Sequence, residues 1–98
     1  MWYVISGIDT DNSLAARLQA RPAHIARLKL LESEQRLLVA GPCPADSEEE
    51  AYLGSVIIAK FETLSDAETW AKKDPYIDAG VYQSVTVKAF KPVLGKLS

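Results

Sequence analysis

The order in which strand-like and helix-like segments follow one another limits the fold of this chain more than any other feature. Short runs rich in β-branched and aromatic residues predict strands at 2–8, 37–40, 54–61 and 81–90. The second strand is predicted to stop at Gly41-Pro42, before an acidic loop over 43–53. Helical patterns separate the first strand from the second and the third from the fourth. The chain is therefore predicted to run β-α-β-β-α-β.

The first helix is predicted from Leu14 to about Glu34, after a cluster of turn and cap residues at 9–13. At 100° per residue, its buried stripe is predicted to hold Leu14, Leu18, Ile25 and Leu28. Pro22 interrupts the pattern. This proline either begins a second helical stretch or kinks one long helix.

The second helix is predicted to begin at a capping box over 65–68, in which Ser65 and Glu68 satisfy two free backbone N–H groups. It is predicted to end near Lys73. One further helical turn over 74–80 follows, with Asp as its cap, Pro at its first position and Gly at its end. Together these elements predict a ferredoxin-like α+β fold with a four-stranded antiparallel sheet.

Both helices are predicted to cover one face of the sheet and to leave the other face bare. Apolar residues alternate on both faces of the first and third strands, so the bare face must be hidden from water. A second copy is the simplest cover. A chain of 98 residues also gains stability from oligomerisation, because it buries only about 60–65% of its unfolded surface alone. We expect a homodimer built from one domain over residues 1–98.

Composition excludes several classes of function. Eleven Lys and Arg against 13 Asp and Glu give a net charge of −2, whereas nucleic-acid binders usually carry a basic face. The single cysteine, Cys43, forbids a multi-thiolate metal site, and no phosphate-binding glycine loop is present. No run approaches the roughly 18 apolar residues of a membrane span. We therefore expect a cytoplasmic protein without a metal, cofactor, nucleic-acid or membrane partner.

His24 is the only histidine, and histidine is the side chain that most readily gains and loses a proton near neutral pH. On a helical wheel it lies at the edge of the buried stripe, where a side chain can line a pocket between helix and sheet. Arg17 and Arg21 lie on the same edge of the helix. Two guanidiniums beside an imidazole predict a binding site for an anionic or phenolate-like substrate. The alternative is a structural histidine beside two solvated arginines.

Three further residues are candidates for the same pocket. Asp74 is a candidate helix cap, and it is also a candidate for the group that orients an imidazole, because a carboxylate that accepts one ring N–H fixes the tautomer. The two roles can coexist only if the second carboxylate oxygen is free. Asp9, at the exit of the first strand, is either a second pocket carboxylate or a turn or helix cap. Tyr76 is the aromatic residue that we expect to face the pocket, whereas Tyr82 is expected in the core or the dimer interface.

Several short stretches along the chain carry a combined signature. They are Arg17, residues 21–24 (Arg-Pro-Ala-His), 37–42 (Leu-Leu-Val-Ala-Gly-Pro), Gly54-Ser55, 74–76 (Asp-Pro-Tyr) and 79–82 (Ala-Gly-Val-Tyr). In this order and spacing the stretches resemble the YciI family over essentially the whole chain. One departure is Gln35, where relatives often carry glycine at the end of the first helix. The segment from Cys43 to Leu53 also departs from the family, so substrate choice does not carry over.

The resemblance implies a dimeric α/β-barrel, in which two ferredoxin-like sheets pack face to face. It also implies an active site with a His–Asp pair, which falls on His24 and Asp74. Relatives with assigned chemistry include a dehydrochlorinase that acts on a chlorinated hydroxyquinol, in which a histidine serves in proton transfer. The wider superfamily includes muconolactone isomerases and cofactor-independent monooxygenases.

These observations lead to one function hypothesis with two competitors. We expect a cofactor-independent lyase or isomerase that acts on a small aromatic or lactone-like molecule. His24 would be the general base, held by Asp74. The substrate would be contacted by Arg17 or Arg21, which steady its negative charge, and by Asp9 and Tyr76. The competitors are a non-catalytic homodimeric module that binds a metabolite in the same cleft, and a purely structural His–Asp pair.

Overall fold

A computed structural model describes residues 1–46 and 51–95 of the chain. Its elements are β1 (Trp2–Asp9), α1 (Leu14–Ser33), β2 (Leu37–Pro44), β3 (Tyr52–Lys60), α2 (Leu64–Lys72), α3 (Pro75–Asp78) and β4 (Tyr82–Phe90). The four strands form one antiparallel sheet in the order β2-β3-β1-β4. The predicted ferredoxin-like α+β fold is therefore confirmed, including the helical turn before the last strand. No helix in the described part of the chain is long and apolar enough to cross a membrane.

The hydrophobic core lies between the sheet and the helices. Strand alternation turns Tyr3 and Ile5 of β1 toward the helices, opposite Ala59 and Ile57 of β3, and all four side chains are buried. They form one cluster with the buried residues Leu28, Leu31, Phe61, Ala67 and Ala71. This cluster holds α1 and α2 on the same face of the sheet.

The first helix is continuous and contains Pro22, so the chain does not divide into two helical stretches there. Its buried residues are Arg17, His24, Leu28 and Leu31. The predicted stripe is correct at Leu28 and wrong at Leu18, which is 53% exposed. The apolar pattern misplaced the stripe because two polar side chains occupy the buried face. His24 consequently lies inside this face and not at its edge.

The second strand extends further than predicted. Gly41-Pro42 does not end it, because β2 continues to Pro44 and pairs with β3 along its length. Proline is tolerated there since β2 is an edge strand, whose free side needs no N–H donor. β3 begins at Tyr52, so the predicted loop over 43–53 is too long at both ends. Residues 47–50 of that loop lie outside the described residues.

The second helix begins earlier than the predicted capping box. Thr63 is the N-cap, and its Oγ1 accepts a hydrogen bond of 3.1 Å from the backbone N–H of Asp66. Ser65 and Glu68 lie inside the helix, so the box predicted over 65–68 is wrong by two residues. Both positions offer a hydroxyl acceptor, and the sequence pattern does not distinguish them.

The first helix ends in a Schellman turn built on Gln35. The N–H of Arg36 donates to the carbonyl of Leu31 (2.9 Å), and the N–H of Gln35 donates to the carbonyl of Glu32 (3.0 Å). Gln35 has a φ of 59°, in the left-handed region that favours glycine. This geometry explains why glycine suits position 35.

Replacing Gln35 with glycine is expected to stabilise the protein by about 1 kcal/mol, because it removes the Cβ from a left-handed residue. Urea unfolding of the variant and the wild type measures the difference. Gly80, with a φ of 76°, is the matched control, because Gly80→Ala introduces the same strain and should destabilise by a similar amount. A Gln35→Gly variant no more stable than the wild type contradicts the prediction.

Candidate active site

His24 and Asp74 are 50 residues apart in the chain and in direct contact in the structure. The Nδ1 atom of His24 lies 2.9 Å from both carboxylate oxygens of Asp74. The side chains are 7% and 3% exposed, so the contact is shielded from water. Because a carboxylate only accepts hydrogen bonds, the shared hydrogen belongs to Nδ1. The other ring nitrogen, Nε2, makes no hydrogen bond with the described residues.

The position of Asp74 follows from its role as the N-cap of α3. Its Oδ1 accepts a hydrogen bond of 2.9 Å from the backbone N–H of Tyr76, and Pro75 occupies the first helical position. Oδ2 makes its hydrogen bond to His24 alone. Capping and contact with the imidazole therefore coexist in one carboxylate, and the cap fixes the orientation in which Asp74 meets His24.

Tyr76 stacks on the histidine ring. The two ring centroids are 3.9 Å apart and the planes differ by 11°. Tyr76 is almost completely buried, at 1% exposure, and burial raises the pKa of its phenol although nearby Arg17 opposes the shift. The stacked ring limits rotation of the imidazole, so His24 is held by Asp74 at one edge and by Tyr76 at one face.

A buried ion pair lies next to this group. The Nε and Nη2 atoms of Arg17 donate to the two carboxylate oxygens of Asp9 at 2.9 and 2.8 Å, and Nη2 also donates to Oγ of Ser55 at 2.9 Å. The guanidinium lies 4.9 Å from the centroid of the Tyr76 ring. Burial opposes the charge on Arg17, but the hydrogen bonds and charge of Asp9 outweigh it and raise the pKa of Arg17. Arg17 therefore stays cationic beside the stacked rings.

A cavity of about 220 Å³ opens between α1 and the sheet beside these residues. Its polar wall includes Arg17, Arg21, His24, Ser55, Tyr52 and Tyr76, and its apolar wall comes from α1, β2 and β3. Arg21 is exposed at this wall. Asp9 does not line the cavity, since both of its oxygens bind Arg17. Four of the six predicted site residues, Arg17, Arg21, His24 and Tyr76, line the cavity, whereas Asp74 and Asp9 reach it only through their contacts with His24 and Arg17.

The arrangement is suited to moving a proton. A cavity-lining imidazole has one nitrogen bonded to a carboxylate and the other without a hydrogen-bond partner among the described residues. Two guanidiniums, of Arg17 and Arg21, line the same cavity and can stabilise negative charge. Across residues 1–46 and 51–95, no three His, Cys, Asp or Glu side chains are grouped as metal ligands.

Sequence reasoning missed two contributors to this site. Ser55 is a buried polar residue on the helix-facing side of β3, and Tyr52 starts the same strand. The signal for Ser55 was available, because a hydroxyl at a position that strand alternation turns inward needs a buried partner. Tyr52 carried no such signal. It lies where the sequence predicted a loop.

Tyr82 forms the layer behind the site. Its ring meets the Tyr76 ring edge-on at a centroid distance of 5.4 Å. A Cβ on Gly7 would lie 2.7 Å from the Tyr82 ring, so glycine is required for this packing. Burial raises the pKa of Tyr82 from 10.0 to about 12, although a hydrogen bond with Ser55 partly offsets the shift.

The raised pKa of Tyr82 predicts a loss of stability in alkali. The unfolded chain releases this proton near pH 10.0 and the folded chain keeps it until about pH 12. The contribution of Tyr82 to the free energy of unfolding is therefore fully present below pH 10 and is lost as the pH rises from 10 to 12. Unfolding measured across this range should show a smaller pH-dependent loss in Tyr82→Phe than in the wild type. Equal slopes for the two proteins would contradict the assignment.

Comparison with known proteins identifies the family of this chain. Residues 1–91 match the family model described as the YCII-related domain. The chain belongs to the YCII-related family. Protein YciI of Escherichia coli O6:H1 (strain CFT073) is 53% identical to this YCII-related chain over 97 residues, covering 95% of this chain and 99% of the relative. An uncharacterized protein of Haemophilus influenzae (strain KW20 / Rd) is 50% identical with the same coverage.

A solved structure of an enzyme has the same fold as this YCII-related chain. It is 5-chloro-2-hydroxyhydroquinone dehydrochlorinase (TftG) from Burkholderia phenoliruptrix AC1100, in complex with 2,5-dihydroxybenzoquinone. The TM-score is 0.82 and the identity is 26%, with 93% of this chain and 94% of that chain covered. The YCII-related chain therefore has a fold that in TftG supports chemistry on a small molecule.

Proposed function

We propose that this YCII-related protein is a cofactor-independent lyase or isomerase in which His24 is the general base. One observation carries the proposal: Nδ1 of His24 is bonded to the buried Asp74 carboxylate, while the same ring lines a cavity. A carboxylate in this position fixes the tautomer that leaves Nε2 as the proton acceptor. The likeness to TftG, a dehydrochlorinase, supports the same class of chemistry.

Each group at the cavity has a role in this proposal. Nε2 of His24 takes a proton from the substrate and returns it to a neighbouring atom, while Asp74 stabilises the imidazolium formed in between. Arg17 and Arg21 stabilise the negative charge that develops on the substrate when the proton leaves. Tyr76 holds the imidazole by stacking, and Asp9 holds Arg17.

The residues that line the cavity favour binding of a small, planar substrate that can form an anion. The ring of Tyr52 lies 5.0 Å from the Arg17 guanidinium, and Tyr76 lies 4.9 Å from it on the same cavity wall. Aromatic walls and guanidiniums together suit an aromatic or unsaturated lactone ring that carries hydroxyl or carbonyl oxygens. The quinone bound to TftG is likewise a small planar ring that carries hydroxyl and carbonyl oxygens.

We also propose that the active form is a homodimer in the cytoplasm. The sheet face away from the helices carries a row of apolar residues, Val39, Ile58 and Val4, which are neighbours on β2, β3 and β1. Val39 is 43% exposed and Ile8, on the same face, is 48% exposed. A second copy packed on this face would remove these side chains from water.

Hydrogen–deuterium exchange tests the proposal before the full reaction is known. The protein is incubated in D₂O with a panel of hydroxyquinones, chlorinated hydroquinones and unsaturated lactones, and ¹H NMR follows each C–H signal. We expect at least one compound to lose a C–H signal, or to release chloride, faster than in buffer. Compounds that raise the melting temperature without exchange or conversion would support the metabolite-binding module and overturn the enzyme.

A further inference from the structure

We propose that the cavity takes a planar ligand that carries a carboxylate, and that Arg21 binds this carboxylate at the mouth while the ring lies inside beside His24. This rests on the proposed function only in making that ligand a substrate. The two arginines that line the cavity differ in burial and in their partners, and this difference gives them separate roles.

Arg17 is fixed inside the protein. Its side chain is 6% exposed, and its Nε and Nη2 atoms donate to the two carboxylate oxygens of Asp9 at 2.9 and 2.8 Å. Nη2 also donates to Oγ of Ser55 at 2.9 Å. Because Asp9 already offsets its charge and holds its orientation, Arg17 can stabilise a charge that develops inside the cavity but cannot turn outward to a charged group at the mouth.

The exposed residues of the cavity wall mark its mouth. They are Leu18, Arg21, Gly41 and Pro42, whereas the other lining residues are buried or half-buried. Among these four, only Arg21 is charged. Arg21 forms no ion pair and no side-chain hydrogen bond with any residue of 1–46 or 51–95. An anion at the mouth therefore meets a cation that no described carboxylate compensates.

Helix spacing places Arg21 within reach of a ligand at His24. Arg21 lies three residues before His24 and four after Arg17 on the continuous helix α1. Residues at these spacings are neighbours on one side of a helix, with Cβ atoms about 5–6 Å apart. Since the arginine side chain is long and flexible, one substituted ring can span the distance. Its carboxylate then lies at Arg21 while a ring carbon lies beside Nε2 of His24.

The charges of the site favour one carboxylate, and they favour it at the mouth. A guanidinium is a planar fork that matches a carboxylate with two parallel hydrogen bonds. Deeper in the cavity, the buried side chains bonded to its wall include two carboxylates, Asp9 and Asp74, against the single guanidinium of Arg17 while His24 is neutral. A further permanent negative charge is disfavoured there. The ligand therefore enters with its uncharged end first.

The test compares ligands that differ only in this charge. Dihydroxybenzoate is paired with dihydroxybenzamide, and an unsaturated lactone acid is paired with its own amide. Calorimetry gives the Kd of each compound for the wild type and the variants. Arg21→Gln removes the charge, and Arg21→Lys keeps the charge without the fork. Lys29→Gln is the matched control, because Lys29 is also an exposed cation on α1 but does not line the cavity.

We expect the wild type to bind the acid of at least one pair about five- to tenfold more tightly than the amide. This range lies between an exposed ion pair and a buried charged hydrogen bond. The ratio should fall to about one in Arg21→Gln, be reduced in Arg21→Lys and stay unchanged in Lys29→Gln. Added salt should weaken binding of the acid only.

Two results would overturn the proposal. One is a wild type that prefers no acid over its amide, and the other is a preference that persists in folded Arg21→Gln; in either case Arg21 is a solvated surface arginine. Exchange of C–H signals in uncharged quinones without a preference for acids would sink this inference and leave the proposed function standing. An Arg21-dependent preference for acids without exchange or conversion of any compound would do the reverse.

Discussion

Replacing His24 with alanine is expected to lower the rate of proton exchange or turnover by about 10²–10⁴-fold, the contribution of a positioned general base. The variant loses the nitrogen that accepts the proton, while Arg17 and the cavity walls remain. The binding of a cavity ligand should therefore weaken much less than turnover. Rates on the compound identified in the exchange panel, together with ligand affinity from calorimetry, separate the two effects.

Asp74→Asn tests the carboxylate that holds the imidazole, and Glu32→Ala is the control variant. Asparagine keeps the helix cap of α3 but lacks the negative charge that stabilises the imidazolium, so turnover should fall by at least about tenfold. Glu32 is exposed on the same helix as His24, and its replacement should leave turnover unchanged. If His24→Ala is folded and retains full activity, His24 is not the base.

The element order and the His24–Asp74 contact are the parts of the structure that the sequence predicts well. The four strands can be located because runs of β-branched residues, and the turn residues that bound them, are local features of the sequence. The start of α3 is predictable for the same reason, because an Asp cap followed by Pro at the first helical position is a local sequence signal. Family resemblance supplied the pairing of His24 with Asp74, which no local pattern contains.

The interior of the site could not be predicted in the same way. A helical wheel assigns burial by apolarity, so it placed exposed Leu18 inside and left Arg17 and His24 at the edge. Their burial depends on partners far along the chain, Asp9 and Asp74, that a wheel does not include. Asp9 was predicted to contact substrate because its only visible property was a carboxylate near the pocket. In the structure that carboxylate compensates a buried cation.

The Arg17–Asp9 pair gives the largest expected effect on stability. Both side chains are almost completely buried, at 6% and 3% exposure, and two hydrogen bonds join them. Arg17→Met leaves the Asp9 carboxylate buried without its cation, which typically costs about 3–5 kcal/mol of unfolding free energy. Guanidinium chloride unfolding of the wild type and variant measures this loss.

Two further variants show whether the loss of unfolding free energy comes from a buried carboxylate left without its cation. The double variant Asp9→Leu/Arg17→Met removes both charges, so it should be less destabilised than the sum of the two single variants. Arg36→Met breaks an ion pair of the same N···O length, 2.8 Å, but with side chains 38% and 44% exposed, and it should cost less than about 1 kcal/mol. If Arg17→Met costs no more than Arg36→Met, water reaches Asp9 in solution. Asp9 would then again be a candidate for direct contact with the substrate.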